Sequence, residues 1–177
     1  MLKWIIAVYL VATVGTVNHE NWLGWKIDNV PKETRTGLYV NQGQDWRKLL
    51  NLKERRKFKK LKQLARYIDK NYDYFDEQYD VWENSEQTIK RSVGDCEDFA
   101  ILFCDYARQN GFDVRVALGY HKTHNKWMGH AFNIWIDSKN KKIWIIDVKG
   151  NVFIDSRYVT NYIIDHSFDN ENIYQHI

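Results

Sequence analysis

Cys96 lies between acidic residues in the stretch GDCEDFAILF, at the point where a helical pattern of apolar residues begins. A cysteine in the first turn of a helix is close to the positive end of the helix dipole and to unpaired backbone N–H groups, and both favour the thiolate. The backbone N–H of Cys96 could also donate to an oxyanion that develops during a reaction. The position therefore predicts a nucleophile, with a small buried apolar residue as the alternative.

A thiol nucleophile needs a base within hydrogen-bond reach and a polar group that orients the base. His130 begins the strand pattern of MGHAFNIWI, and Asp147 ends the pattern of WIIDVKG. In an antiparallel hairpin, the start of one strand lies beside the end of the next. A two-residue loop at positions 138–139 would place His130 opposite Asp147, and a four-residue loop would make them diagonal neighbours on one face. A three-residue loop would put them on opposite faces.

Other interpretations of these residues remain open. His130 could be an ordinary strand-edge histidine, and Asp147 could simply begin a turn. Cys96, His121, His124 and His130 could instead bind a metal, although their spacing lacks a partner thiol pair and fits no zinc pattern.

The period of the apolar residues predicts helices followed by strands. The pattern is helical from Trp46 to Tyr72, over a short segment near 85–90 with Ser85 as its cap, and from Cys96 to Gly111. After Gly111 the period changes to two in DVRVALGY, HAFNIWID, KIWIIDV and NVFI. Helices followed by an antiparallel sheet predict an α+β domain.

The positive charge is concentrated in one segment. The net charge is +3, but residues 47–70 hold eleven Lys and Arg against two acidic residues, so this segment carries +9 and the rest sums to −6. A local basic segment on a mildly acidic body differs from a chain that is basic throughout, and no nucleic-acid partner is expected. The predicted basic helix is either a solvated face or a surface for an anionic partner.

The N-terminus predicts export. Lys3 precedes fourteen uncharged residues, 4–17, a length that suits the core of a signal peptide better than a membrane span. Residues 1–17 are therefore predicted as a signal peptide or a signal anchor, 18–45 as an extended segment, and 46–177 as the folded domain. The expected location is the periplasm or the membrane surface, with anchoring through residues 4–17. A buried segment of the domain is the alternative for this stretch.

Three blocks in order carry a resemblance to a known family. GDCEDFA, GHAFNIWI and WIIDVKG, preceded by DVWENSEQTI, resemble the bacterial transglutaminase-like cysteine peptidases of the papain-like transglutaminase superfamily, over about residues 60–155. The resemblance implies a papain-like core in which the cysteine-bearing helix packs on an antiparallel sheet. It also implies that Cys96 is the nucleophile, His130 the base and Asp147 the orienting residue. The implied reaction is hydrolysis, or acyl transfer, of a peptide or amide bond in a protein or peptide of the cell envelope, through a thioester.

The same resemblance bears on metals and on the oxyanion. Some members of the family are periplasmic proteases that need calcium, and Asp95, Glu97 and Asp98 match the acidic positions that bind it; the chemistry itself requires no cofactor. The alternative is that these acids only favour the start of the helix. Trp82 or Gln87 is expected to supply a second oxyanion donor. The rival function is a non-catalytic or calcium-dependent interaction module on the same fold, using the basic 47–70 helix.

Overall fold

The computed structural model describes residues 25–26, 46–76 and 81–176. The predicted signal segment 1–17 and most of the predicted extended segment 18–45 lie outside the described residues. Within the described ranges, no helix is long and apolar enough to cross a membrane.

Three helices and nine strands make up the described fold. The helices are α1 (Leu61–Asn71), α2 (Ser85–Arg91) and α3 (Cys96–Gln109). The strands are β1 (Trp25–Lys26), β2 (Asp73–Tyr74), β3 (Val93–Gly94), β4 (Val114–Thr123), β5 (Lys126–Asp137), β6 (Lys142–Asp147), β7 (Val152–Asp155), β8 (Tyr162–Phe168) and β9 (Ile173–Gln175). Seven strands form one antiparallel sheet in the order β1-β9-β8-β4-β5-β6-β7, and β2 pairs with β3 in a small parallel ladder. The predicted α+β class, with the cysteine-bearing helix packed on an antiparallel sheet, is confirmed.

Helix α3 is the centre of the larger core. Eleven consecutive residues, 97 to 107, are buried, because the sheet covers one side of the helix while α1 and α2 cover the other. The helix begins after Asp95, whose backbone N–H donates to the Asp98 carboxylate, and Gly111, at φ +81°, lies just beyond its end. Gly94 is required just before it, because a Cβ there would come within 2.7 Å of the Cβ of Asp98. The GDCED stretch is thus a compact helix start that fixes the place of Cys96.

The sheet separates two groups of buried residues. Its alternate residues Val114, Val116 and Leu118 pack with the helices in the larger core. The intervening positions point to the other face of the sheet and contribute to a second core there. This second core includes Ala117, Phe132, Ile134, Ile145, Tyr162 and Ile164.

The prediction of one helix from Trp46 to Tyr72 is wrong. The structure has a single 3₁₀ turn at Trp46–Lys48, an irregular segment over 49–60, and then α1. The irregular segment, which we call the connecting segment, is held by tertiary bonds: the N–H of Leu52 donates to Asp105 Oδ2 at 2.9 Å, and the N–H of Phe58 donates to Asn110 Oδ1 at 2.8 Å. Both acceptors belong to the C-terminal part of α3 or its cap, and they replace the helical bonds that the local sequence favours.

Two smaller differences concern helix caps and later strands. Asn84, rather than Ser85, caps α2, since its side chain accepts from the N–H of Gln87. Ser85 instead donates its hydroxyl to Asp105 at 2.7 Å. The strands β8 and β9 were not predicted, and β8 pairs with β4 inside the sheet.

The buried Asp105 should be important for stability because it accepts from both Leu52 and Ser85. Asp105→Ala leaves these donors unsatisfied and should lower the free energy of unfolding by about 1–3 kcal/mol. The matched control is Asp113→Ala, which removes an exposed carboxylate whose nearest cation is 3.7 Å away and should cost at most about 1 kcal/mol. Urea unfolding measures both, and equal losses would contradict the proposed role of Asp105.

Candidate active site

His130 and Asp147 form a direct hydrogen bond. Their hairpin closes with Asp137 paired to Lys142, so the loop has the four residues 138–141. This selects the arrangement in which His130 and Asp147 are diagonal neighbours on one face of the sheet. His130 Nε2 lies 2.7 Å from Asp147 Oδ2.

Asp147 is held by donors from three parts of the chain. Oδ2 accepts from His130 and, at 3.0 Å, from the hydroxyl of Tyr162, and Oδ1 accepts from the N–H of Gly150 at 2.9 Å. Gly150 allows this close approach, because a Cβ at that position would lie 2.7 Å from Asp147 Oδ2. Burial acts to raise the pKa of Asp147, but the hydrogen bond and charge of His130, with the bonds from Gly150 and Tyr162, hold the pKa below its ordinary value. Asp147 is therefore an oriented carboxylate at neutral pH.

Cys96 lines the same cleft as His130 and Asp147. Its sulfur lies 3.1 Å from Glu97 Oε2, and the backbone N–H of Ala131 donates to the sulfur. Within the described residues, no hydrogen bond joins the sulfur to His130, and catalytic hydrogen bonds often tighten only once substrate is bound.

The surroundings of Cys96 oppose the thiolate that the start of a helix favours. Burial raises the pKa of the Cys96 thiol well above its ordinary value, and the charge of Glu97 raises it further. The bond from Ala131 lowers the pKa but does not outweigh these two effects. The raised pKa favours the protonated thiol, which donates to Glu97 Oε2, and attack by the sulfur would need a base that removes this proton.

Neither predicted side-chain donor for the oxyanion lines the cleft that Cys96 shares with His130. The side-chain oxygen of Gln87 accepts from the N–H of Asn84 at 3.0 Å, as part of the cap of α2. Trp82 is buried in the core and stacks on Phe168. Of the donors predicted for the oxyanion, the backbone N–H of Cys96 is the one beside the sulfur, because Cys96 is the first residue of α3.

The three acidic residues proposed for calcium surround the start of α3, and a fourth joins them. Asp95, Glu97, Asp98 and Glu83 are all buried. Burial, with the charges of Asp95 and Glu83, raises the pKa of Asp98 to about 7, even though the backbone N–H groups of Glu83 and Asp95 donate to its carboxylate. Glu83 Oε1 pairs with Arg91, while its buried Oε2 has no hydrogen-bond partner.

This group of carboxylates has the oxygen chemistry that calcium prefers, and the Glu83 oxygen without a hydrogen-bond partner could accept a cation. The ligand oxygens of these four carboxylates do not form a compact group, however. Among the described residues, only His121, His130 and Asp147 place three His, Cys, Asp or Glu ligand atoms within 4.8 Å of one another.

The predicted Cys/His metal alternative is not assembled. His124 is exposed in the turn between β4 and β5, and Cys96 is not part of the close trio. His121 does line the cleft, but its ring nitrogens lie 3.4 Å from Thr123 Oγ1 and 3.2 Å from Asn161 Nδ2, and its ring stacks on Tyr162.

Sequence reasoning missed two residues of the cleft surroundings, Lys149 and Tyr162, and considered His121 only as a possible metal ligand. Lys149 Nζ donates to the backbone oxygens of Asp69 and Tyr72 at the C-terminal end of α1, and so ties the loop after Asp147 to that helix. The place of Lys149 in WIIDVKG, two residues after Asp147, could have indicated that it lies near the site. No sequence pattern could have indicated Tyr162, because its bond to Asp147 joins strands that are not neighbours in the sheet.

Comparisons with known proteins identify the family. The family model of the transglutaminase-like superfamily matches residues 46–146, which is more than half of the chain. The chain therefore belongs to the transglutaminase-like superfamily, and the resemblance that the three sequence blocks suggested is confirmed. A search of curated protein sequences gave no significant match.

Three solved structures of LapG from Legionella pneumophila share the fold; one is described as calcium-bound and another as EGTA-treated. Each has a TM-score of 0.58 and 19% sequence identity, and each covers 65% of this chain. The chain spans just under two thirds of the LapG chains, 66%, 66% and 64%. At this identity the likeness establishes the fold.

Glu97 should control the titration of Cys96. Glu97→Gln removes a charge that raises the thiol pKa, so the pH midpoint of Cys96 alkylation by iodoacetamide should fall. A fall of about one unit would increase the thiolate about 10-fold below the midpoint. Site-resolved mass spectrometry in EGTA measures the rate, with Glu171→Gln as the control for loss of an exposed carboxylate. An unchanged midpoint in Glu97→Gln would show that Glu97 does not act on the thiol.

Proposed function

We propose that this chain is a cysteine-dependent hydrolase of peptide or amide bonds, working through Cys96, His130 and Asp147. The observation that carries the proposal is the 2.7 Å bond between His130 Nε2 and Asp147 Oδ2, in a cleft that Cys96 also lines. A histidine paired with a buried carboxylate beside a helix-start cysteine is the arrangement that thiol acyl transfer requires. Membership of the transglutaminase-like superfamily supports the same reaction class.

The proposed mechanism starts from a neutral thiol. Asp147 accepts at Nε2 of His130, which leaves Nδ1 as the nitrogen that takes the proton from Cys96 as sulfur attacks the carbonyl carbon. The S–C bond forms, the carbonyl electrons move to oxygen, and the N–H of Cys96 stabilises that oxyanion. Asp147 stabilises the imidazolium, which then protonates the leaving amine.

The second half of the reaction releases the acyl group. A thioester on Cys96 is attacked by water, with His130 taking the proton of the water and returning one to sulfur. An amine in place of water would give acyl transfer, and the proposal takes water as the acceptor. The substrate class we propose is a protein or peptide of the cell envelope, with the chain exported or anchored through residues 4–17.

The rival function, binding of an anionic surface through residues 47–70, makes a different use of the fold. In the structure this stretch contains the connecting segment, and the side chains of Lys53, Arg55, Lys57, Lys59 and Lys60 are exposed there. That function has no need of the His130–Asp147 bond, so activity measurements on the cleft residues separate the two.

Cleavage of a mixed peptide library, read by mass spectrometry, tests the hydrolase. Cys96→Ala and His130→Ala should each lower cleavage by at least about 1000-fold, and Asp147→Asn by about 100-fold or more. Cys104→Ala is the matched control, because this second cysteine of α3 is fully buried away from the cleft and its loss should preserve cleavage. Adding a primary amine distinguishes hydrolysis from transfer by the mass of the product.

The contradicting results are specific. Cleavage that survives in Cys96→Ala would exclude the thiol mechanism. A wild-type protein that leaves the library intact and binds anionic vesicles would favour the rival function.

We further propose that calcium binds at the start of α3, held by Asp95, Glu97 and Asp98 together with Glu83. The buried carboxylates and the calcium-bound form of LapG support this part of the proposal. A bound divalent cation would offset the charges of Glu97 and Asp95, which raise the pKa of the Cys96 thiol. The catalytic steps above need no metal.

Thermal unfolding and alkylation test the calcium site without relying on activity. Calcium should raise the midpoint of unfolding and speed the labelling of Cys96 relative to EGTA, and Glu97→Gln should weaken both effects. Magnesium is the ionic control. Identical curves in calcium, magnesium and EGTA would contradict the site.

A further inference from the structure

Tyr162 approaches the catalytic carboxylate from a part of the chain beyond the family match. The match covers residues 46–146, whereas Tyr162 begins β8. Its hydroxyl donates to Asp147 Oδ2 at 3.0 Å, the same oxygen that lies 2.7 Å from His130 Nε2. The hydroxyl therefore acts on the acceptor that orients the base.

The ring of Tyr162 is fixed on two sides. It stacks on His121 with centroids 4.3 Å apart and planes 12° apart, and it meets the edge of Phe132 at 5.0 Å. Tyr162 is paired with His121 in the ladder between β8 and β4, and its side chain is 3% exposed. A ring this constrained holds its hydroxyl at one place, which is the condition for orienting a partner.

The strand that carries Tyr162 packs tightly against β4. Gly119 on β4 faces β8 where the register shifts, and a Cβ at that position would lie 2.0 Å from the backbone oxygen of Ile163. The strand that carries Tyr162 thus approaches β4 so closely that only glycine fits. The acceptor of the Tyr162 hydroxyl, the Asp147 carboxylate, is charged and buried, whereas the hydroxyl of a surface tyrosine usually bonds to water.

We propose that Tyr162 is a positioning residue of the active site, which fixes the Asp147 carboxylate so that its bond to His130 leaves Nδ1 directed to the Cys96 thiol. This inference rests on the proposed hydrolase function. Burial and the charge of Asp147 both raise the pKa of Tyr162, so the hydroxyl remains protonated and can only act as the donor in this contact.

Loss of the Tyr162 hydroxyl should change the pKa of Asp147 in one direction. Without it, the pKa of Asp147 should rise, because the Tyr162 bond is one of the contacts that lower it. This change moves the acid limb of a reaction that needs an ionised Asp147 to higher pH.

Other titratable groups face this part of the fold and are the same in the wild type and the variant. They are His121 on β4, Cys96 on α3, Tyr74 on β2, Lys149 in the adjoining loop, and Lys62, Arg66 and Asp69 on α1. A shift between the two proteins therefore reports the removed hydroxyl.

Tyr162→Phe tests the proposal because it keeps the stacked ring and removes the hydroxyl. The probe is p-nitrophenyl acetate: Cys96 sulfur forms the S–C bond, p-nitrophenolate leaves, and His130 takes the thiol proton. The acylation rate constant should fall roughly 10-fold and the acid limb of its pH profile should move to higher pH. Nitrogen-15 NMR of the neutral His130 ring should show a weaker preference for the proton on Nε2.

The chain supplies a matched control at Tyr174. Its hydroxyl also donates to a carboxylate, Asp169, at 3.3 Å, but neither residue lines the cleft. Tyr174→Phe should leave the acylation rate, its pH profile and the tautomer of His130 unchanged. A purely structural role for Tyr162 would instead lower the thermal midpoint while leaving the pH profile of the folded protein in place.

The outcomes separate this inference from the proposed function. If Cys96→Ala abolishes acylation but Tyr162→Phe matches the wild type in rate and pH profile, the positioning role is wrong and the hydrolase stands. If the wild type is not acylated at Cys96, the hydrolase is wrong. The tautomer of His130 then decides alone, and a preference for Nε2 in Tyr162→Phe equal to that of the wild type overturns the inference.

Discussion

The hydrogen bond between His130 Nε2 and Asp147 Oδ2 is the contact on which the proposed chemistry depends. It exists because a four-residue loop joins β5 to β6 and brings the start of one strand beside the end of the next. The rest of the fold supports this bond. The N–H of Gly150 and the hydroxyl of Tyr162 hold the carboxylate, and Lys149 ties the adjoining loop to α1. In the proposed mechanism this bond leaves Nδ1 of His130 as the nitrogen that accepts the thiol proton.

The charge around Cys96 sets the second constraint. Burial and the charge of Glu97 both raise the pKa of the thiol and so favour its protonated form. In the proposed mechanism His130, whose positive form Asp147 would stabilise, takes the proton from this neutral thiol. The acidic residues of GDCED thus have two effects: Asp95 and Asp98 begin α3, while Glu97 raises the energy of the thiolate. Neutralising Glu97 is the simplest way in which the site could be made more reactive.

Part of the site could be predicted because two of its residues lie at the ends of regular elements. Cys96 begins a helix with clear start and stop signals, and Asp147 ends β6. His130 was expected to begin a strand but lies inside β5, which starts four residues earlier at Lys126. The length of the loop between β5 and β6 could not be predicted, because SKNK is compatible with several turns. In the structure the loop has four residues, and its last residue, Lys141, has a φ of 53°. The connecting segment was predicted as helix because its local pattern is helical, whereas bonds to Asp105 and Asn110 in the distant α3 region decide its conformation. The raised pKa of the thiol likewise follows from tertiary burial, which local sequence does not reveal.

The tautomer of His130 decides whether Nδ1 can serve as the base. Nitrogen-15 NMR of the histidine ring, recorded where His130 is neutral, distinguishes the nitrogen that carries the proton from the one that does not. We expect a proton on Nε2, bonded to Asp147, and a bare Nδ1 available to Cys96, with the preference for Nε2 lost in Asp147→Ala. A neutral ring protonated at Nδ1 in the wild type would contradict the proposed base and the mechanism built on it.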